Sequence, residues 1–243
     1  MIQRYKIIRL FRFLEKVQDC LPPDFSDAHF TSRESTLARK NCYRCHKAVT
    51  QCICDLIVEV SNKTDVVILQ HFRERFHPIG TARLAVLGLK NCRIHVAHSG
   101  LPANSTSRQV DSAWKYRTLL TQIPFPEDGA VLFPSKNAQP LTADNPPSAL
   151  LVLDATWSHA KRLYYENPWI ARLKHVSLQP EHPSNYRIRK EPEAHCLSTL
   201  EAIVSALKIL EPETRGLDEL LEAFNIMIDR QSRFVLDKTG KSE

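Results

Sequence analysis

After residue 55 the chain alternates between short β-branched runs and helical patterns, and this alternation narrows the fold more than any other feature. The run Asp65-Val-Val-Ile-Leu-Gln70 is short, continuous and apolar, the pattern of a strand buried on both faces. Residues 93–98, 130–133, 149–153 and 175–178 read as further strands. Residues 81–90, 156–165, 197–210 and 217–234 carry helical spacing. Ser198, Thr199 and Glu201 predict a capped start for the third of these helices. Strands separated by helices predict an α/β domain with a mostly parallel sheet. Ligands of such sheets sit beyond the carboxyl ends of the strands. No G-x-G-x-x-G, P-loop or internal repeat is present.

The length of 243 residues allows one large domain, or one with a small appendage. With 43% apolar residues the chain can bury a core unaided. Its longest apolar runs, such as residues 149–153, fall far short of the roughly 20 residues of a membrane span. No membrane association and a cytoplasmic location are therefore the expectation. The net charge of +6 is uneven: residues 1–50 carry ten Lys/Arg against five Asp/Glu, and residues 211–243 five against eight. A basic front and middle suit a polyanionic partner, although a basic pI alone is common.

Residues 1–40 read as a basic amphipathic helix, with Ile7, Leu10, Phe11, Leu14 and Val17 on one face, followed by a polar linker containing Pro22-Pro23. Glu15 and Asp19 argue against a transit peptide, and there is no apolar stretch for a secretory signal.

The cysteine count is seven, an odd number, and four fall within thirteen residues. Cys42, Cys45, Cys52 and Cys54 give C-x2-C-x6-C-x-C. Two close thiolate pairs joined by a short loop can converge on one tetrahedral Zn2+. A disulfide framework suits an odd count without a secretory signal poorly. A redox C-x-x-C would open the helix of a βαβ unit, which this one does not. Residues 41–56 thus read as a zinc knuckle, displaying Arg44, His46 and Lys47. Cys20, Cys92 and Cys196 read as small apolar residues.

The sharpest site signal is Leu150-Leu-Val-Leu-Asp154-Ala-Thr156-Trp157. An acid at the carboxyl end of a buried strand lies where open α/β sheets bind ligands. The same Asp154 also suits an N-cap, with Thr156 as the alternative cap. Downstream, Lys161, Arg162, Tyr164, Tyr165 and Trp169 interleave bases and aromatics, as do Tyr186, Arg187, Arg189 and Lys190. That pattern fits phosphate contacts and base stacking, or equally a solvated helix face and one basic loop. His71 follows a buried strand, near Arg73 and Glu74, and His159 lies in the helix after Asp154, but neither makes a metal-ligand spacing.

These groups coincide, in order, with the DTW-domain family of tRNA-uridine aminocarboxypropyltransferases, which the chain resembles from about residue 42 to 210. The namesake D-x-T-W is Asp154-Ala155-Thr156-Trp157. The knuckle matches at Cys42, Cys45, Cys52 and Cys54, and the Asn-Thr-Gly-Arg-Leu-like stretch appears as Gly80-Thr81-Ala82-Arg83-Leu84. Tyr186-Arg187-Ile188-Arg189 and Ser198-Thr199-Leu200-Glu201 complete the set, with Gly80 standing where the family often has Asn.

The resemblance implies transfer of the 3-amino-3-carboxypropyl group of S-adenosylmethionine to N3 of a tRNA uridine, with release of methylthioadenosine. It also implies a SPOUT-like domain over residues 57–243 that binds S-adenosylmethionine and tRNA, with a trefoil-knotted C-terminal half to the chain. Asp154, Thr156 and Trp157 are then the catalytic candidates, with Asp154 as general base or orienting group. Thr81, Leu132, Phe133, Tyr186, Ser198 and Thr199 are candidates for binding S-adenosylmethionine. Arg83, Lys161, Arg162, Arg187, Arg189 and Lys190 are candidates for tRNA phosphates or the substrate carboxylate. Tetrahedral Zn2+ falls to the four cysteines. Oligomeric state stays open, with a monomer preferred. Two other readings stand beside this one: a SPOUT-type RNA methyltransferase, and a non-catalytic zinc-knuckle RNA-binding protein.

Overall fold

The computed structural model describes residues 40–77, 79–97, 123–179, 184 and 197–239, with side chains to residue 233. The basic helix expected near the N-terminus, and Tyr186, Arg187, Arg189 and Lys190, lie outside the described residues.

In chain order the elements are β1 (Asp65–His71), α1 (Ala82–Gly88), β2 (Cys92–Ala97), β3 (Ala130–Leu132), β4 (Gln139–Pro140) and β5 (Ala149–Asp154). Then follow α2 (Trp157–Glu166), α3 (Pro168–Ala171), β6 (Lys174–Ser177), α4 (Thr199–Leu210) and α5 (Leu217–Thr239). The six strands form one sheet in the order β2-β1-β5-β3-β6-β4, and every adjacent pair is parallel. All carboxyl ends therefore lie along one edge. The knot implied by the resemblance depends on the path through residues 180–183 and 185–196, which are outside the described residues.

Side chains alternate across the sheet, and the alternation sorts the core into two layers. Val66 and Ile68 of β1, with Leu150 and Val152 of β5, face a cluster containing Leu84, Leu200, Ile203, Leu207, Leu220 and Phe224. Val67, Leu69 and Leu151 face the other way, onto Leu163 and Ile170. Helices α1, α4 and α5 thus cover one face, and α2 and α3 the other. The same parity decides the strand ends. Gln70 and Asp154 fall on the α4 side, while His71 falls on the α2 side.

Two close fits hold the α1/α4/α5 layer. A Cβ on Gly88 would stand 2.5 Å from Leu220 Cδ1, so glycine allows α1 to approach α5. After α4, buried Glu211 accepts hydrogen bonds from the Lys63 N–H (2.8 Å), the Thr64 N–H (2.5 Å) and the Thr214 hydroxyl (2.8 Å). Burial alone would raise its pKa, but these bonds outweigh it and hold the carboxyl below its ordinary value.

The expected strands and helices are present, with ends shifted by a few residues. Two elements escaped the sequence reading. β4 is two exposed residues, one of them proline, and exists through its pairing with Val176 and Ser177. α3 is a single turn opened by Pro168. The last helix runs to Thr239 rather than 234.

Candidate active site and metal knuckle

Asp154 ends β5 and is 6% exposed. It is not the helix cap. Thr156 occupies the N-cap position of α2, with extended backbone, and Asp154 stays in the strand. Of the two roles open to Asp154 in the sequence, the cap falls away.

Gln70 and Thr199 donate to its carboxylate. Gln70 is its register partner across the β1/β5 ladder, and Gln70 Nε2 donates to Asp154 Oδ2 at 2.8 Å. Thr199 Oγ1, from the first residue of α4, donates to Asp154 Oδ1 at 2.5 Å. A buried carboxylate needs such partners, since an unsatisfied one would carry a heavy desolvation cost. The candidate catalytic acid and a candidate cofactor-binding residue are thereby joined. Gln70 was absent from the sequence-derived site; the available signal was a polar residue ending an apolar run on the inward parity.

The stretch Ser198-Thr199-Leu200-Glu201 has a job for each side chain. Ser198 and Glu201 form a reciprocal capping box. Leu200 is fully buried, and Thr199 reaches Asp154. Glu201 also accepts from the Ser184 hydroxyl at 2.6 Å. The hydroxyl of Ser198, a candidate for S-adenosylmethionine, thus serves the helix end.

On the opposite face lies a histidine pair. The rings of His71 and His159 stack 4.1 Å apart and only 8° from parallel. Thr156 Oγ1 lies 3.0 Å from His159 Nδ1. Burial, then the charges of His159 and Arg73, hold the His71 pKa down to about 4. His71 is therefore neutral at physiological pH. The sequence showed both histidines but not that they meet.

The remaining candidates divide. Trp157 opens α2, half-buried and outside both core clusters. Leu132 ends β3, next to β5, so its backbone lies at the ligand edge. Phe133 stacks on Tyr164 at 4.7 Å, and Tyr164 Oη lies 3.0 Å from His175 Nε2. Thr81 is buried just before α1. Lys161 is exposed on α2. Arg162 pairs with Glu166 at 2.6 Å. Arg83 Nε donates to the Arg44 carbonyl at 2.8 Å, so part of its fork fastens the knuckle.

In the knuckle, the four Sγ atoms of Cys42, Cys45, Cys52 and Cys54 lie within 4.8 Å of one another. Cys42–Cys54 and Cys45–Cys52 are separated by 3.7 and 3.8 Å. A tetrahedron with Zn–S of about 2.3 Å requires sulfurs about 3.8 Å apart. The four thiols therefore fit a zinc ion, and among the described residues they are the one cluster of this kind. Backbone hydrogen bonds at Cys45 and Arg44 bring the Cys42 thiol down to about 6, while burial and the neighbouring thiols push Cys54 up. A divalent cation supplies the charge that lets all four ionise. His46 takes the left-handed conformation, φ 61°, as the chain turns back and Cys42 N–H reaches the Lys47 carbonyl. Arg230 of α5 donates to the Cys52 carbonyl at 2.6 Å, so the knuckle is fastened to the domain from two sides.

The parallel sheet, its acid-centred carboxyl edge and the four-thiol knuckle define an α/β domain with a four-cysteine appendage whose sulfurs fit a metal ion. The chain belongs to the DTW domain family, whose model matches residues 39–232 and takes in the knuckle. It is 32% identical to the tRNA-uridine aminocarboxypropyltransferase 2 of Drosophila melanogaster over 184 residues, 73% of this chain and 70% of that one. The macaque (Macaca fascicularis) protein of the same name is 29% identical over 204 residues, 82% of this chain and 65% of that one. The tRNA-uridine aminocarboxypropyltransferase A of Arabidopsis thaliana is 25% identical over 245 residues, 87% of this chain and 86% of that one. These relatives are transferases, and the chain is an enzyme of that class. No solved structure matches it. No helix among the described residues is long and apolar enough to cross a membrane.

Proposed function

We propose that the protein transfers the 3-amino-3-carboxypropyl group of S-adenosylmethionine to N3 of a tRNA uridine, with Asp154 as the general base. The observation that carries the reading is the buried Asp154 carboxylate, held by Gln70 and Thr199 at the ligand edge of a parallel sheet. The names of the relatives supply the substrate class.

The chemistry follows from the substrates. A sulfonium activates three neighbouring carbons, and the outcome depends on which one faces the nucleophile. Asp154 takes the N3 proton of the uracil. N3 then attacks the methylene beside sulfur, and the carbon–sulfur bond breaks with its electrons passing to sulfur. Methylthioadenosine leaves, and the proton remains on Asp154. A positioned base contributes roughly 10²–10⁴-fold to such a step. Gln70 and Thr199 restrain the carboxylate that takes the proton.

The uridine must leave its stack to enter the pocket, and half-buried Trp157 at the start of α2 is placed to receive it. Thr81, the Leu132–Phe133 strand end, Tyr186 and the start of α4 surround the S-adenosylmethionine. Lys161, Arg187, Arg189 and Lys190 contact tRNA phosphates. Zinc on the four cysteines acts as a structural cross-link that orders residues 41–56. The SPOUT-like knot, a cytoplasmic location and a monomeric state belong to the same reading.

The test is incubation with S-adenosylmethionine and unmodified tRNA, followed by nucleoside mass spectrometry. Uridine bearing the aminocarboxypropyl group supports the reading. Methyluridine assigns the chain to RNA methylation instead, and tRNA binding without modification assigns it to a non-catalytic role.

A further inference from the structure

Two aromatic rings stand out on adjacent turns near the knuckle. Tyr43 is 96% exposed and Phe76 65% exposed. Single exposed rings are ordinary, but these two turns are neighbours in space, joined by a ring contact. The ring of His46, on the knuckle, lies 5.5 Å from that of Phe76. On the other side, Arg83 holds the Arg44 carbonyl.

The charge around the rings has one sign. Lys40 and Arg44 are exposed on the knuckle, and Arg73 and Arg75 on the turn after β1. Among residues 40–47 and 72–77 the one acid, Glu74, is buried, while Asp55, later in the knuckle, is exposed. The Arg75 guanidinium sits 4.9 Å from the Phe76 ring centre, and that of Arg73 5.8 Å from the Phe72 ring centre. Exposed rings beside guanidinium groups complement single-stranded nucleic acid. Bases stack on the rings and phosphates meet the cations. A duplex would offer phosphates but no open base faces.

We propose that the knuckle turn at Tyr43 and Arg44 and the turn carrying Phe72, Arg73, Arg75 and Phe76 form a stacking platform for unpaired nucleotides of the tRNA. The platform rests on the tRNA reading above and gives the knuckle a second task beyond cross-linking. The target uridine enters at Asp154; the platform holds other unpaired nucleotides and so selects a loop rather than a stem.

The test measures tRNA binding by Tyr43→Ala, Phe76→Ala and the double variant, beside Tyr43→Trp and Phe76→Tyr. All are exposed positions, so the fold tolerates each change. Each alanine variant is expected to lose about 5-fold or more in tRNA affinity, and the aromatic replacements to retain it. Affinity for S-adenosylmethionine and for a blunt RNA duplex should not move. Arg75→Gln is expected to lower the slope of log affinity against log salt by about one. If wild-type protein modifies tRNA while the alanine variants bind it as tightly as wild type, the platform is wrong and the functional reading stands. If the variants weaken on tRNA and duplex equally, stacking is also refuted. If wild-type protein neither binds nor modifies tRNA, both fall.

Discussion

The hydroxyl of Thr199 donates to Asp154 Oδ1 at 2.5 Å, tying the amino end of α4 to the carboxyl end of β5. A hydrogen bond to a charged acceptor contributes about 1.5–3 kcal/mol. Thr199→Val keeps the shape and removes the donor. We expect kcat/KM for tRNA to fall roughly tenfold or more, while Thr199→Ser stays near wild type. Steady-state kinetics decide it: wild-type rates for the valine variant would leave the bond a purely architectural one.

Gln70 supplies the other donor, at 2.8 Å. Gln70→Glu sets a second carboxylate against Asp154, and like charges at that range raise the pKa of the pair. The acid limb of the pH–rate profile should move to higher pH. A limb that stays in place would argue that Asp154 does not titrate in the rate-determining step.

His71 makes a prediction about stability rather than rate. Its folded pKa of about 4 lies below the roughly 6.5 of an unfolded histidine. Between those values the unfolded chain binds a proton that the folded one excludes, so stability falls as pH drops through that window. Above it the contribution is constant. Denaturant melts of His71→Gln should show a flatter dependence from pH 6.5 to 4 than wild type. Parallel curves would show that the buried His71–His159 stack does not resist protonation.

How far all this was legible in the sequence depends on the kind of interaction. Val66–Leu69 and Leu150–Leu153 announced buried strands because they are short, continuous apolar runs, too short to be helices. The capping box at Ser198 and Glu201 was legible because it is local. The pairing of Gln70 with Asp154 was not, since it depends on β1 lying beside β5, 84 residues away in the chain. The role of Asp154 was legible only as an ambiguity, because an acid before a helix also makes a good cap. Tertiary structure removed only the cap reading, by giving that position to Thr156. β4 left no signal because two exposed residues have no pattern of their own.

The cysteine cluster predicts one zinc per chain. Cys45 is buried in the core cluster as well as being part of the four-sulfur set. Cys45→Ser should abolish stoichiometric zinc and lower the melting temperature by at least roughly 5 °C, since such sites contribute folding energy outright. Elemental analysis and thermal melts with and without chelator are the checks. Metal-free protein with an unchanged melt would refute the cross-link.

The central claim is that the Asp154 carboxylate removes the uridine proton. Asp154→Asn preserves size and can still bond Thr199, but cannot serve as the base. Single-turnover transfer from S-adenosylmethionine to tRNA, followed by nucleoside mass spectrometry, measures it directly. The account predicts a loss of roughly a hundredfold or more in the rate of aminocarboxypropyl-uridine formation, with tRNA and S-adenosylmethionine affinities retained. Transfer by Asp154→Asn at the wild-type rate would contradict it.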